Sequence, residues 1–153
     1  MDAVLVTEPL DGAAGSLLVG AFIEEIASRY PGWNPDIGPS ARPEEFVAPM
    51  GRFLIAYRGN RPVACGGIKC LDDTTGEVKR LYVVPDARGR GVGRHLLRAL
   101  EDAAVDLGRR RVRLDTGDQQ PDALALFRAA GYREIPDYNA NPYASYWLEK
   151  PLA

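Results

Sequence analysis

The sequence has few of the residues from which disulfide frameworks and metal sites are built. Among 153 residues it has two cysteines, Cys65 and Cys70, and one histidine, His95. Two cysteines do not make a disulfide scaffold, and one histidine with them cannot complete a tetrahedral zinc site. We therefore expect two reduced thiols, no metal and a cytoplasmic protein.

A long hydrophobic run is also missing. The longest apolar stretch covers residues 17–23 and is followed by two glutamates, whereas a membrane-spanning helix needs about 20 apolar residues. No basic segment opens the chain, so we expect no secretory signal. The net charge of −2 argues against nucleic acid or an anionic membrane as a partner. The length predicts one domain, residues 1–153.

Hydrophobic periodicity predicts a mixed sheet with helices on both faces. Leu18, Phe22 and Ile26 recur every four residues, which predicts a helix over residues 11–29. Further helices are predicted over 43–48, 91–107 and 121–130. Strands are predicted over 4–6, 53–57, 61–71, 77–84, 111–116, 132–135 and 143–149. The segment 30–43, rich in proline and glycine, is predicted to be a functional loop.

Residues 77–97 carry the most informative pattern. A strand runs into Pro85, and a loop with three glycines in five positions precedes a helix. Glycines leave backbone N–H groups uncovered, and a helix N-terminus adds unpaired donors and a partial positive charge. With its arginines, the loop predicts an anion cradle, most simply for a diphosphate. The cradle would consist of Arg88, Gly89, Arg90, Gly91, Val92, Gly93 and Arg94.

Two other phosphate-binding loops fit this segment less well. A P-loop ends in Gly-Lys followed by Ser or Thr, which are absent here. A dinucleotide-binding fingerprint reads GxGxxG after the first strand of a βαβ unit, whereas this loop reads GxGxG and follows several strands. A glycine-rich loop with solvated arginines and no ligand is the simplest structural alternative.

Residues 88–93, Arg-Gly-Arg-Gly-Val-Gly, resemble the Q/R-x-x-G-x-G/A signature of the GNAT acyltransferases, which bind acetyl-coenzyme A. The resemblance extends upstream over 77–85 and downstream through residue 116 and the block 123–132, which ends in Gly-Tyr. It implies an α/β fold, α+β by some schemes. The expected architecture is a GNAT-type mixed, mostly antiparallel central sheet of about six or seven strands, flanked by about four helices, with splayed core strands.

The resemblance also implies where the coenzyme lies. Its diphosphate would rest on residues 88–94, and its pantetheine arm would run beside Leu81, Tyr82 and Val83, where strands 77–84 and 111–116 splay apart. A backbone N–H near Val83 would polarise the thioester carbonyl as negative charge develops. Phe127 is expected to pack beside the coenzyme.

Catalysis by such a protein needs a neutral amine and hence a base. Glu77 is our candidate, because its place matches a glutamate that serves as base in some family members; the alternative is a strand-end residue paired with arginine. Many members carry a tyrosine that protonates the leaving thiolate where this chain has Phe127. Tyr82, Tyr138 and Tyr143 are possible substitutes, and of these we name Tyr138 as a catalytic candidate.

The resemblance implies that the acceptor binds beside the first two helices, the loop between them and the loop before the last strand. We predict that it contacts Glu25, Tyr30, Trp33 and Tyr143, since aromatic rings and carboxylates can hold a cationic amine. The predicted function is transfer of acetyl from acetyl-CoA to a primary amine of a small molecule by direct attack. The alternatives are a protein or peptide N-acetyltransferase and a non-catalytic acyl-CoA-binding module. A homodimer is possible.

Overall fold

Residues 3–152, which the computed structural model describes, form one seven-stranded sheet with α-helices on both faces. The strands are β1 (Val4–Thr7), β2 (Gly51–Arg58), β3 (Arg61–Cys70), β4 (Thr75–Val83), β5 (Arg111–Thr116), β6 (Arg133–Ile135) and β7 (Tyr146–Pro151). The α-helices are α1 (Ala13–Arg29), α2 (Val92–Asp106) and α3 (Pro121–Ala129), with short 3₁₀ helices at Pro43–Phe46 and Pro85–Ala87.

The strand order is β1-β2-β3-β4-β5-β7-β6, and every neighbouring pair is antiparallel except β4 with β5. The predicted mixed, mostly antiparallel sheet is confirmed. In the described part of the chain, no helix is long and apolar enough to cross a membrane.

Two expected elements differ from the structure. The helix predicted over 43–48 is only a 3₁₀ turn, so three α-helices flank the sheet. The last strand starts at Tyr146 instead of residue 143. Residues 139–143 form consecutive side-chain turns, because Asn139 Oδ1 accepts the N–H of Asn141 and Asn141 Oδ1 accepts the N–H of Tyr143. Such turns compete with a strand ladder.

Strands β4 and β5 pair over three residues only, from Thr75 opposite Arg111 to Glu77 opposite Arg113. Beyond this point β4 continues to Val83 beside β3. The expected splay of the core strands is therefore present. It leaves one edge of β4 open to a ligand.

A β-bulge bends β4 where the gap opens. Cys65 pairs with Tyr82, and Gly67 pairs with Lys79. A separation of two residues on β3 therefore lies opposite a separation of three residues on β4. Arg80 in this bulge has φ 58°. A bulge re-aims the side chain that it carries and is frequent beside active sites.

The two faces of the sheet carry separate apolar clusters. On one face α2 buries Leu96, Leu97 and Leu100. On the other, Leu18 of α1 packs with Phe53 and other buried side chains. Each fully buried side chain of this size contributes about 1.5–3 kcal/mol relative to exposure. The helices thus cover both faces of the sheet.

Candidate active site

A cleft of about 530 Å³ lies along the open edge of β4, between the glycine-rich loop, the start of α2 and α3. Gly91 precedes α2 with φ 82°, a left-handed conformation that favours glycine. The first N–H groups of α2 have no partner within the helix, until that of His95 donates to the Gly91 carbonyl. This helix start therefore presents donors and positive potential to the cleft.

Most of the predicted coenzyme residues line this cleft. They are Leu81, Tyr82, Val83, Arg88, Gly89, Gly91, Val92, Gly93, Arg94 and Phe127. Arg90 is the exception: it is exposed and does not line the cleft. The left-handed glycines on either side of Arg90 turn the backbone sharply at this point, and its side chain lies outside.

The Arg88 guanidinium binds two groups in the wall of the cleft. Its Nη2 lies 2.8 Å from Glu25 Oε1, and its Nε donates to the Val83 carbonyl at 2.8 Å. Glu25 itself lines this large cleft. Glu25 therefore stands at the coenzyme side rather than with the other predicted acceptor residues, because the ion pair with Arg88 directs it there.

Val83 presents its backbone to the cleft. The N–H of Val84 donates to the Val63 carbonyl at 2.9 Å, on the β3 side. Along an antiparallel strand successive residues point their backbone groups to opposite edges, so the N–H of Val83 faces the gap. The bond from Arg88 to the Val83 carbonyl fits this direction.

A second, smaller cavity of about 130 Å³ lies between β4 and β5 where they splay. It shares part of its lining with the large cleft. The shared residues are Phe22, Leu81, Gln120, Ala123 and Phe127. The two spaces therefore meet at the middle of β4, where a group held in one can reach a group held in the other.

Two loops form a roof over the small cavity. The ring of Trp33 stands edge-on to that of Tyr143, with centroids 6.1 Å apart, and the N–H of Asn34 donates to the Tyr143 hydroxyl at 3.1 Å. The Tyr30 hydroxyl accepts the N–H of Gln119 at 3.0 Å, and burial raises the pKa of Tyr30. Three of the predicted acceptor residues, Tyr30, Trp33 and Tyr143, thus converge on this cavity.

Three charged side chains line the small cavity, and the sequence assigned none of them to the site: Lys79, Arg80 and Asp115. Asp115 Oδ2 accepts bonds from the amides of Asn139 at 2.6 Å and Asn141 at 3.3 Å. The sequence signal that could have identified Asp115 is its position. It lies near the end of β5, the core strand beside β4, and β4 leads into the glycine-rich loop.

Glu77 and Tyr138 meet each other, but neither lines a cavity. Glu77 is 1% exposed, and its Oε2 accepts the Tyr138 hydroxyl at 2.5 Å and the Asn139 amide at 3.3 Å. Lys69 and Lys79 lie 3.8 and 3.9 Å from its Oε1. Burial, and then the charge of Glu77, raises the pKa of Tyr138, which therefore stays protonated.

Neither cysteine is placed as a nucleophile. Cys65 is fully buried, and burial raises the pKa of its thiol to about 12. Cys70 lies at the end of β3, with Sγ 3.7 Å from the Pro49 carbonyl, and lines neither cavity. Among residues 3–152, no group of three or more His, Cys, Asp or Glu side chains is arranged to hold a metal ion.

Known acetyltransferases have similar sequences. An "IAA acetyltransferase" of Azospirillum brasilense is 40% identical over 113 residues, which are 71% of this chain and 73% of that protein. The "N-alpha-acetyltransferase RimI" of Mycobacterium tuberculosis is 34% identical over 100 residues, 63% of this chain and 61% of that protein.

Solved structures share the fold. A GNAT family acetyltransferase from Elizabethkingia anophelis, solved with acetyl-CoA bound, superposes with a TM-score of 0.65 at 14% identity, over 99% of this chain and 97% of that one. The model of the "Acetyltransferase (GNAT) family" matches residues 20–132, which include α2, β4, β5 and α3. The glycine-rich loop, the splayed strands and this match agree: the chain is an acetyltransferase of the GNAT family.

Proposed function

We propose that this enzyme transfers the acetyl group of acetyl-CoA to the primary amine of a small molecule. The observation that carries the proposal is the roofed cavity of about 130 Å³, which adjoins the large cleft. Because one water occupies about 30 Å³ of liquid, this space suits a compact organic molecule. The rings of Trp33 and Tyr143, which contact each other edge-on, both line it.

The large cleft supplies the binding groups for the coenzyme. The diphosphate would take the N–H groups at the start of α2, with Arg94 at the rim. The pantetheine arm would follow the open edge of β4 and pair with Val83. This route brings the thioester to Leu81 and Phe127, where the two spaces meet.

Transfer proceeds by direct attack. The amine nitrogen bonds to the acetyl carbonyl carbon, the C–S bond breaks, and the coenzyme leaves as its thiolate. A thiol of ordinary pKa, about 8.5, leaves without prior protonation, so Phe127 in place of a tyrosine does not prevent turnover. A buried thiol at Cys65, whose pKa is about 12, would form no acyl intermediate.

Two carboxylates can take the proton of the attacking amine. Asp115 lines the small cavity and can contact the amine directly. Glu77 stands behind it, and a proton would reach it only through the Tyr138 hydroxyl or a water molecule. We propose that Asp115 accepts the proton. The Asn139 amide, which bonds both carboxylates, links Glu77 to this step.

A peptide N-acetyltransferase is the second candidate. The 34% identity to an N-alpha-acetyltransferase favours it. A peptide needs an open groove, however, and here the Asn34 N–H and the Tyr143 hydroxyl tie the two loops together over the cavity. A non-catalytic acyl-CoA-binding module is the third.

The test measures thiol release from acetyl-CoA with two acceptor sets, small primary amines and peptides with free N-termini. Coenzyme binding is measured separately by titration calorimetry. We expect micromolar coenzyme binding and turnover with small amines. Faster turnover with peptides would establish the second candidate, and binding without turnover in either set would establish the third. No binding at millimolar acetyl-CoA would contradict all three.

A further inference from the structure

Arg80 is a cation without a partner in the small cavity. In the described part of the chain, no carboxylate lies in ion-pair distance of its guanidinium, and no hydrogen bond holds it. The centroid of the Phe22 ring lies 6.0 Å from the Arg80 Cζ atom. By contrast, Arg88 and Arg113 lie 2.8 and 2.7 Å from glutamate oxygens.

The backbone directs this side chain into the cavity. Arg80 occupies the bulge of β4 with φ 58°, a conformation that costs about 1–2 kcal/mol for a residue with a Cβ. A glycine would adopt it without this cost. The bulge places Arg80 among the residues that line the cavity rather than in the regular alternation of the strand.

The charges that line the cavity give Arg80 no counter-charge within ion-pair distance. Lys79 has Glu77 Oε1 at 3.9 Å as a counter-charge. Asp115 opposes Arg80 only at longer range, and its Oδ2 already accepts two amide bonds. Burial lowers the pKa of Arg80, but guanidinium stays charged in proteins. A ligand carboxylate would supply the counter-charge that this half-buried guanidinium lacks.

We propose that the acceptor is an amine that also carries a carboxylate, and that Arg80 binds this carboxylate while the amine lies towards Asp115. This inference rests on the proposed function and specifies its substrate class. The guanidinium fork suits a carboxylate in a bidentate pair. Arg80 does not line the large cleft, so the coenzyme phosphates, which belong at the start of α2, are not its ligand.

The same charges oppose a simple cationic acceptor. A diamine would place a second positive charge beside the unpaired Arg80 guanidinium, which is unfavourable in a half-buried site. The predicted recognition of a cation by Glu25 is not available here either, because that carboxylate is paired with Arg88 in the other cleft.

The experiment compares each free amino acid with its own amide as acceptor, because the amide keeps the shape and loses the negative charge. We expect a kcat/KM about 10- to 100-fold higher for the acids, the effect of a charge-assisted bond. Arg80→Met should abolish this preference and leave the coenzyme Kd unchanged. Arg80→Lys should restore part of it.

Two further variants keep the test decisive. Arg80→Gly suits the left-handed backbone and should fold even if the methionine variant does not, and it should lose the same preference. Arg133→Met removes an exposed arginine of β6 outside both cavities and should retain it. Equal rates for acids and amides, or a preference that survives in the Arg80 variants, would overturn the inference while the proposed function stands. No turnover with any amine would overturn both.

Discussion

Asp115 and Glu77 are two carboxylates that share one amide, that of Asn139. They differ in access, since Asp115 lines the small cavity and Glu77 is 1% exposed behind it. A group that takes the proton in the transition state must be within reach of the amine, directly or through one water. Replacing each carboxylate by its amide should therefore lower kcat/KM by different amounts.

We predict that Asp115→Asn lowers kcat/KM about 100-fold, the loss typical of a missing proton acceptor, with the coenzyme Kd unchanged. Glu77→Gln should cost less than this in rate, because its amide oxygen still accepts the Tyr138 hydroxyl. The measurement is kcat/KM against pH for both variants. A larger loss for Glu77→Gln that shrinks at high pH, where amines are neutral, would restore Glu77 as the base.

Tyr138 offers a matched control for this pair. Its hydroxyl lies 2.5 Å from Glu77 Oε2 and outside both cavities. If Tyr138 only positions the loop, Tyr138→Phe should change KM for the amine more than kcat. If it donates a proton, kcat should fall while KM stays constant.

At the scale of elements, the start of α2 is the part of the coenzyme site that depends most on backbone shape. A Cβ placed on Gly93 would lie 3.4 Å from Leu126 and 3.5 Å from Val83, in ordinary contact on the wall of the cleft. The fold can therefore accept a methyl group there. A methyl group at this position would, however, prevent a ligand from approaching the N–H groups of this turn closely.

We predict that Gly93→Ala folds with unchanged or slightly higher stability and binds acetyl-CoA at least about tenfold more weakly. The control is Gly20→Ala in α1, where a Cβ meets nothing within 4 Å and no cleft is near. It should gain similar helix stability and keep its coenzyme Kd. Calorimetry and thermal unfolding measure the two quantities. Equal coenzyme affinity in both variants would place the diphosphate elsewhere.

At the scale of the whole molecule, buried hydroxyls link the elements across the core. The Tyr132 hydroxyl donates to Glu101 of α2 at 2.8 Å, and Lys150 of β7 donates to the other oxygen at 2.9 Å. Burial, and then the charge of Glu101, raises the pKa of Tyr132. In the unfolded chain this pKa is about 10. The stabilisation is thus complete below pH 10 and lost as the pH rises above it.

We predict that stability falls between pH 9 and pH 11, with Tyr132 contributing about 1.4 kcal/mol of the loss at pH 11. Tyr132→Phe should be less stable than the wild type by about 1–2 kcal/mol at pH 7, because the hydrogen bond to Glu101 is lost. Its stability should fall less steeply above pH 10. Urea unfolding at pH 7, 9 and 11 measures both effects, and parallel curves for the two proteins would contradict this assignment.

The sequence by itself determined the fold and predicted the coenzyme cradle. Periodicity, glycines and proline are local signals, and the path of β4 into the loop and α2 follows from neighbouring residues. The strand positions were predictable for this reason, whereas the splay and the residues beside the pantetheine arm were expected from the resemblance to the GNAT family. Arg90 stays a prediction: its side chain is exposed and does not line the cleft, and periodicity does not specify how a loop turns its side chains.

Only the tertiary structure decided the acceptor side. Its charged residues come from β4 and β5, and its roof from loops more than 100 positions apart, as Asn34 and Tyr143 are. Whether a charge faces a cavity or an ion pair depends on packing between such distant segments. For this reason the sequence did not show that Glu25 pairs with Arg88 or that Glu77 lies behind Tyr138. It also did not show that the extra residue in β4 places Arg80 in the cavity without an ion-pair partner.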